Sequence, residues 1–203
     1  MKYAKIVLTL LLCSTPCIGD YIVFKSKFSS SQVFRAFSDG AVHATIGFLS
    51  SLVFFSHETS GMGHAKLINV IFCTFISSFI DIDHVMVARS LHWKDLTTLK
   101  QRGIFHCTTF WLLITIPLLI YSYVYKKLNI YIITWMLMLA YTSHHIRDAN
   151  RRGLWVYPFG HTSPLTKYMY VCLTVVLPHL FGMLSRHWRP MLMKETSVEY
   201  MVV

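Results

Sequence analysis

Five short runs in this chain place histidine and aspartate at the ends of apolar stretches. They are Ala41-Val42-His43, Asp81-Ile82-Asp83-His84, Arg102-Gly103-Ile104-Phe105-His106, Ser143-His144-His145-Ile146-Arg147-Asp148 and Gly160-His161. Imidazole and carboxylate together are ligands for a hard or borderline divalent metal. Ionisable groups are costly at membrane depth, so a set of them there points to a functional site. On a helix, His144 and Asp148 are four apart and share a face, as do Arg102 and His106. Asp81 and His84, three apart, also share one, and Asp83 is expected to point elsewhere.

The elements that must position these residues are apolar. The chain has 203 residues, is 54% hydrophobic and has a mean hydropathy of +0.49. That balance fits an all-α, multi-pass transmembrane helical bundle forming a single domain over 1–203, with a short mobile C-terminal tail from about 190. Six stretches come near the roughly 20 residues needed to cross the hydrocarbon core. They are 3–24, 41–57, 67–90, 104–125, 128–146 and 168–186. The second is short, which suggests a tilted or re-entrant segment. Lys126-Lys127 turns the fourth and fifth into a hairpin, and the longest loop, 147–167, is rich in turn residues (Gly153, Pro158, Gly160, Pro164). In this order His43 opens the second helix and Asp81, Asp83 and His84 lie in the distal half of the third. His106 opens the fourth, His144, His145 and Asp148 close the fifth, and His161 follows in the loop. All of them fall on one side of the membrane.

The net charge of +10 comes from 19 Lys and Arg against 9 Asp and Glu, a balance that in a soluble protein would suggest nucleic acid. Here the bases sit in short loops beside apolar runs, as at Lys25/Lys27 and Arg151-Arg152, where they act as topology signals and headgroup contacts. The expected partner is therefore the lipid bilayer and not nucleic acid, and the sequence names no protein partner. With six crossings the site side carries 11 of the Lys and Arg residues and the other side 8, a bias that predicts a cytosolic site. Residues 3–24 read as a first membrane helix with one buried acid, Asp20. Cleavage as a signal peptide after about Gly19 is the alternative. The five cysteines read as buried free thiols.

Plainer roles account for other polar residues. His57, His64, His92 and His187 read as interfacial, and His179 as a hydrogen-bonding support inside the bundle that meets a neighbouring backbone. Asp39 reads as the N-cap of the second helix. Capping, or pairing with Arg89, Arg147 or Arg151, accounts for one of Asp81, Asp83 and Asp148 but poorly for all three, each of which lies close to a histidine. An ion or proton transporter would also use buried Asp/His pairs, but at mid-membrane and beside broken helices. No G-x-S-x-G, phosphate-loop, dinucleotide or H-E-x-x-H motif occurs.

The strings Asp81-Ile82-Asp83-His84, Arg102 to His106 and Ser143 to Asp148 resemble the YdjM-like family of membrane-bound metal-dependent hydrolases. The pattern of that family runs D-x-D-H, H-R-G-x-x-H-S, then H-x-x-x-D followed by glycine and proline, the last two places filled here by Gly153 and Pro158. The chain departs from it at Ile80 for proline, Gln101 for histidine and Cys107 for serine. Longer strings are similar to the transmembrane protein 267 family of animal membrane proteins. These are Arg35 to His43, Ile80 to His84, Thr142 to Asp148, Gly153 to Gly160 and Thr162 to Leu165, and the likeness spans about residues 10–182.

The hydrolase resemblance implies phosphoester cleavage at clustered metals. The expected function is a membrane-embedded metal-dependent hydrolase, with a lipid or other phosphoester as substrate. The expected ligands are His43, Asp83, His84, His106, His144 and Asp148, with Asp81 as ligand or general base. The mixed His and carboxylate set favours zinc. Arg102, and also Arg147, would hold the substrate's phosphate or carboxylate. The alternatives are a non-enzymatic membrane protein whose His/Asp network is structural or binds a lipid or partner, and a transporter.

Overall fold

The structure, a computed structural model, describes residues 2–58, 62–90, 92–97, 99 and 101–189. The expected tail from about 190 lies outside them. Six long helices make the bundle: α1 (Lys2–Lys25), α2 (Gln32–Phe55), α3 (His64–Phe79), then, after the short α4 (Asp83–Ala88) and α5 (Trp93–Thr97), α6 (Thr108–Val124), α7 (Leu128–Arg152) and α8 (Lys167–Trp188). A two-stranded antiparallel hairpin, β1 (Trp155–Val156) with β2 (Gly160–His161), sits in the α7–α8 connection. Among the described residues four segments are long and apolar enough to cross a membrane: α1, α2, the α3–α4 unit His64–Ala88, and α8. The 17-residue α6 and the 25-residue α7 complete the bundle.

α7 is the central helix and packs on α2, α3, α6 and α8. Its middle buries Tyr131, Trp135, Met136 and Leu139 against Phe54, Phe55, Val70 and Phe181. A second apolar cluster joins α1 to α2 through Leu12, Val23, Ile46 and Val53. The outer surface is apolar too: Leu10 and Leu11 on α1, Ile68 and Ile71 on α3, Leu113 and Ile120 on α6, and Met183 on α8 are all exposed. Polar groups inside and aliphatic side chains outside are the arrangement a bilayer solvent demands.

Several sequence expectations change. α2 begins at Gln32, not 41, and at 24 residues it is neither short nor re-entrant. Ser31 is its N-cap, accepting from the Phe34 N–H, so Asp39 and His43 both lie inside the helix. Arg147 and Arg151 of α7 hold Asp39 in ion pairs, while most of residues 32–37 ahead of it are exposed. The third helix is not continuous over 67–90. It breaks after Phe79 into a 3₁₀ turn, Ile80–Ile82, restarts as α4 and stops at Arg89, which is left-handed (φ 50°). α7 runs on past 146 to Arg152, so Asp148 is within it and not at its end. Only two of the five cysteines, Cys73 and Cys107, are buried; Cys13 and Cys172 are exposed on the bundle's surface. α1 packs on α2 and α8 along one face, is otherwise exposed, and is long and apolar enough to cross a membrane.

Candidate metal centre

The break between α3 and α4 builds the site. Three residues per turn put Asp81 and His84 one above the other, and the tightened backbone swings Asp83 inward as well. The two acids then straddle one imidazole. Asp83 meets His106 Nδ1 at 2.9 and 3.0 Å, and Asp81 Oδ1 lies 3.4 Å from His106 Nε2. Asp83 therefore does not point elsewhere; it is buried and orients His106. Gly103 makes this approach possible, since a β-carbon there would lie 2.4 Å from the Asp83 carboxyl carbon. His106 itself lies in a 3₁₀ turn, Ile104–His106, just ahead of α6.

α7 supplies the facing half. His144 is fully buried, and its Nδ1–H donates to the Ser77 carbonyl at 2.7 Å. That bond turns His144 Nε2 toward His106 Nε2, 3.2 Å away. α2 can approach closely enough to bring Ser77 into place because Gly47 has no side chain: a β-carbon would lie 2.0 Å from Ser77 Oγ. One turn beyond His144, Asp148 Oδ2 lies 3.4 Å from His106 Nε2 and 3.9 Å from His144 Nε2, while Asp81 Oδ1 is 3.5 Å from His144 Nε2.

The protonation of these groups follows from their other bonds. A carbonyl can only accept, so His144 carries its proton on Nδ1. A carboxylate likewise takes the proton of His106 Nδ1. Both Nε2 atoms then present lone pairs to each other and to the oxygens of Asp81 and Asp148. Four possible ligand atoms converge, and they need a cation among them, either a proton on His106 or a metal ion. A proton on His106 would satisfy one edge, whereas a divalent ion satisfies all four atoms. The five separations given above run from 3.2 to 3.9 Å. A tetrahedral ion with ligand bonds of about 2.0–2.1 Å sets its ligands about 3.3–3.4 Å apart. The donor chemistry and the spacing both fit zinc or a similar ion.

The remaining expected residues are placed differently. His43 stacks on His144, with ring centroids 3.8 Å apart, and its Nε2 lies 3.6 Å from Asp148. The same Nε2 lies 2.9 Å from Arg147 Nη1, and His43, His144 and Asp148 form a trio of possible ligands with one atom of each within 4.8 Å of the others. His84, half-buried at the rim, forms a trio with Asp81 and His106 in which one ligand atom of each lies within 4.8 Å of the others. Its Nδ1–H donates to the Asp81 carbonyl at 3.0 Å. Arg147 is not available to an anionic ligand: it is buried among Asp39 (2.6 Å), Asp20 (3.4 Å) and His43. Arg102 spends its Nη1 on the Gly153 carbonyl at 3.0 Å. Burial pulls its guanidinium below the ordinary value, against the opposing pull of Asp148. His145 is satisfied at both nitrogens, by the Phe105 carbonyl and the Thr108 hydroxyl, and His161 is exposed on the hairpin.

Curated relatives fix the family. Bovine transmembrane protein 267 is 38% identical over 148 residues, covering 72% of this chain and 66% of its own length. Its mouse counterpart is 38% identical over 160 residues, covering 74% and 68%. That of Xenopus laevis is 34% identical over 171 residues, covering 82% and 76%. The chain belongs to the transmembrane protein 267 family. It is an integral membrane protein. It spans about two thirds of the length of the bovine relative. No family model matches the chain, and no solved structure does.

In this member of the transmembrane protein 267 family, sequence reasoning missed Ser77, whose carbonyl orients His144, because a backbone acceptor leaves no mark in side-chain spacing. It also missed the links of Asp20, to Arg147 and to the hydroxyl of Tyr170, which tie α1 and α8 to the site.

Proposed function

We propose that the chain is a membrane-embedded, metal-dependent hydrolase acting on a phosphoester at headgroup depth. The observation that carries the reading is the convergence of four possible ligand atoms, from Asp81, His106, His144 and Asp148, which need a cation among them. Asp83 and the Ser77 carbonyl fix the tautomers of the two histidines, as outer partners of metal ligands do. A divalent ion bound there supplies Lewis acidity, which acidifies water and polarises a phosphoryl oxygen. With His106, His144 and Asp148 holding the ion and water in its fourth position, Asp81, the most open of the four, would take the proton of the attacking water. In the overall reaction water adds to phosphorus, the ester oxygen leaves as an alcohol with a proton, and a phosphate group with one ester bond fewer remains. The hydrolytic part of the reading rests on the resemblance of the three motif strings to the YdjM-like family alone.

The test is turnover by purified protein in detergent or nanodiscs, stripped by chelator and resupplied with zinc. Metal-dependent release of product from a phospholipid or a soluble phosphodiester is expected, with Asp81→Asn lowering it by about 100-fold or more. A metal-loaded protein that turns over neither substrate overturns the hydrolase. A second reading, a structural polar network, is favoured by the ion pairs of Arg147 with Asp39 and of Arg151 with Asp148. It requires that stability be unchanged by chelator.

A further inference from the structure

A cavity of about 350 Å³ opens beside the centre, with Asp81 and His84 in its wall. The lining has two characters. Phe24, Val85, Leu96 and Leu99 make it apolar, and Arg35, Arg151 and Arg152 make it basic. Arg151 is committed to Asp39 at 3.3 Å and Asp148 at 2.9 Å. Arg35 and Arg152 are exposed, and among the described residues neither has a carboxylate within salt-bridge distance. Arg35 and Arg151 both lie over the ring of Phe24, 5.5 and 4.8 Å from its centroid, which holds them in place along the cavity wall. The cavity lies at the Lys25 end of α1 and the Arg152 end of α7, where the apolar surface of the bundle gives way to charge.

We propose that this cavity binds a phosphate-bearing membrane lipid, with Arg35 and Arg152 on the phosphate and the apolar wall against the first carbons of its tail. Two arginines without carboxylate partners form a bidentate-capable anion site. An apolar wall next to them is wasted on a soluble phosphate ester and suits an amphiphile. The wall formed by Asp81 and His84 puts the phosphoester against the centre, so the proposal deepens the hydrolase reading and rests on it for the fate of the lipid.

The experiment measures binding of phosphatidic acid to the full chain in phosphatidylcholine nanodiscs, with diacylglycerol as the phosphate-free control and glycerol 3-phosphate as the soluble competitor. Bound metal and melting temperature are recorded in parallel. Arg35→Gln with Arg152→Gln is expected to weaken phosphatidic acid binding by roughly tenfold or more, with metal content and melting temperature unchanged. Lys126→Gln with Lys127→Gln, the same charge loss at the opposite end, is expected to leave binding unaltered. Equal binding by the arginine variant, equal binding of diacylglycerol, or full displacement by glycerol 3-phosphate would each overturn the lipid site. A wild type that binds phosphatidic acid through these arginines but holds no metal would sink the hydrolase and leave the lipid site standing.

Discussion

Two polar clusters lie at opposite ends of this bundle and differ in how their hydrogens are shared. At one end, Lys5, Thr9, His57 and His179 form a closed chain. The Lys5 ammonium donates to His57 Nδ1 at 3.3 Å, His57 Nε2–H to His179 Nδ1 at 3.0 Å, His179 Nε2–H to Thr9 Oγ1 at 2.9 Å, and the Thr9 hydroxyl to the Lys5 carbonyl at 2.8 Å. Each of these donors has an acceptor, and nothing further is needed. At the other end, two histidine Nε2 atoms and two carboxylates face one another, and only a cation, a proton or a metal ion, can join them. Both clusters contain histidine, half-buried in the first and buried in the second. Only the second has an imbalance, and the imbalance separates a candidate ligand site from a structural network.

The comparison breaks most visibly in the double variant His144→Ala with Asp148→Ala, which removes two of the four converging acceptors. We expect it to lose bound metal entirely, along with a metal-linked stabilisation of about 4 kcal/mol at a thousandfold excess over Kd. The checks are elemental analysis and melting with and without chelator. Asp83→Asn keeps the four acceptors but weakens the hold on the His106 tautomer. Metal affinity should fall about 10- to 100-fold, read by competition with a chromophoric chelator. His179→Ala in the closed chain should cost about 1–3 kcal/mol of stability by stranding its partners. Metal content and chelator sensitivity should stay as in the wild type. A change in metal content there would mean that the two ends are not independent. His161→Ala, on the exposed hairpin, should stay within about 0.5 kcal/mol of wild type and retain full metal content.

Much of this was legible in the sequence. Helix count, the α6–α7 hairpin and the convergence of runs around residues 81–84, 106 and 144–148 follow from hydropathy and from i,i+4 spacing. The start of α2 did not, because residues 32–40 mix polar and apolar side chains, capped at Ser31 and anchored to α7 only through Asp39. The direction of Asp83 did not, because a 3₁₀ turn replaced the helix on which its face was judged. Arg147, expected to hold substrate, is instead paired with Asp39, Asp20 and His43, while His43 keeps its place beside His144 and Asp148. That pairing depends on how α2 and α7 dock, which no local pattern carries. His179 was expected to meet backbone and meets the side chains of His57 and Thr9 instead. The partner of His57 lies across the bundle on α8, far beyond the reach of sequence spacing.

The central claim is that Asp81, His106, His144 and Asp148 enclose a cation heavier than a proton. Elemental analysis of protein purified in detergent without chelators, followed by zinc titration with melting-temperature readout, tests it directly. The account predicts a transition metal in the purified protein, and a melting temperature that falls on chelation and recovers with zinc. A protein that carries no metal, and whose melting temperature zinc does not move, would contradict it and leave His106 as a protonated imidazolium within a structural network.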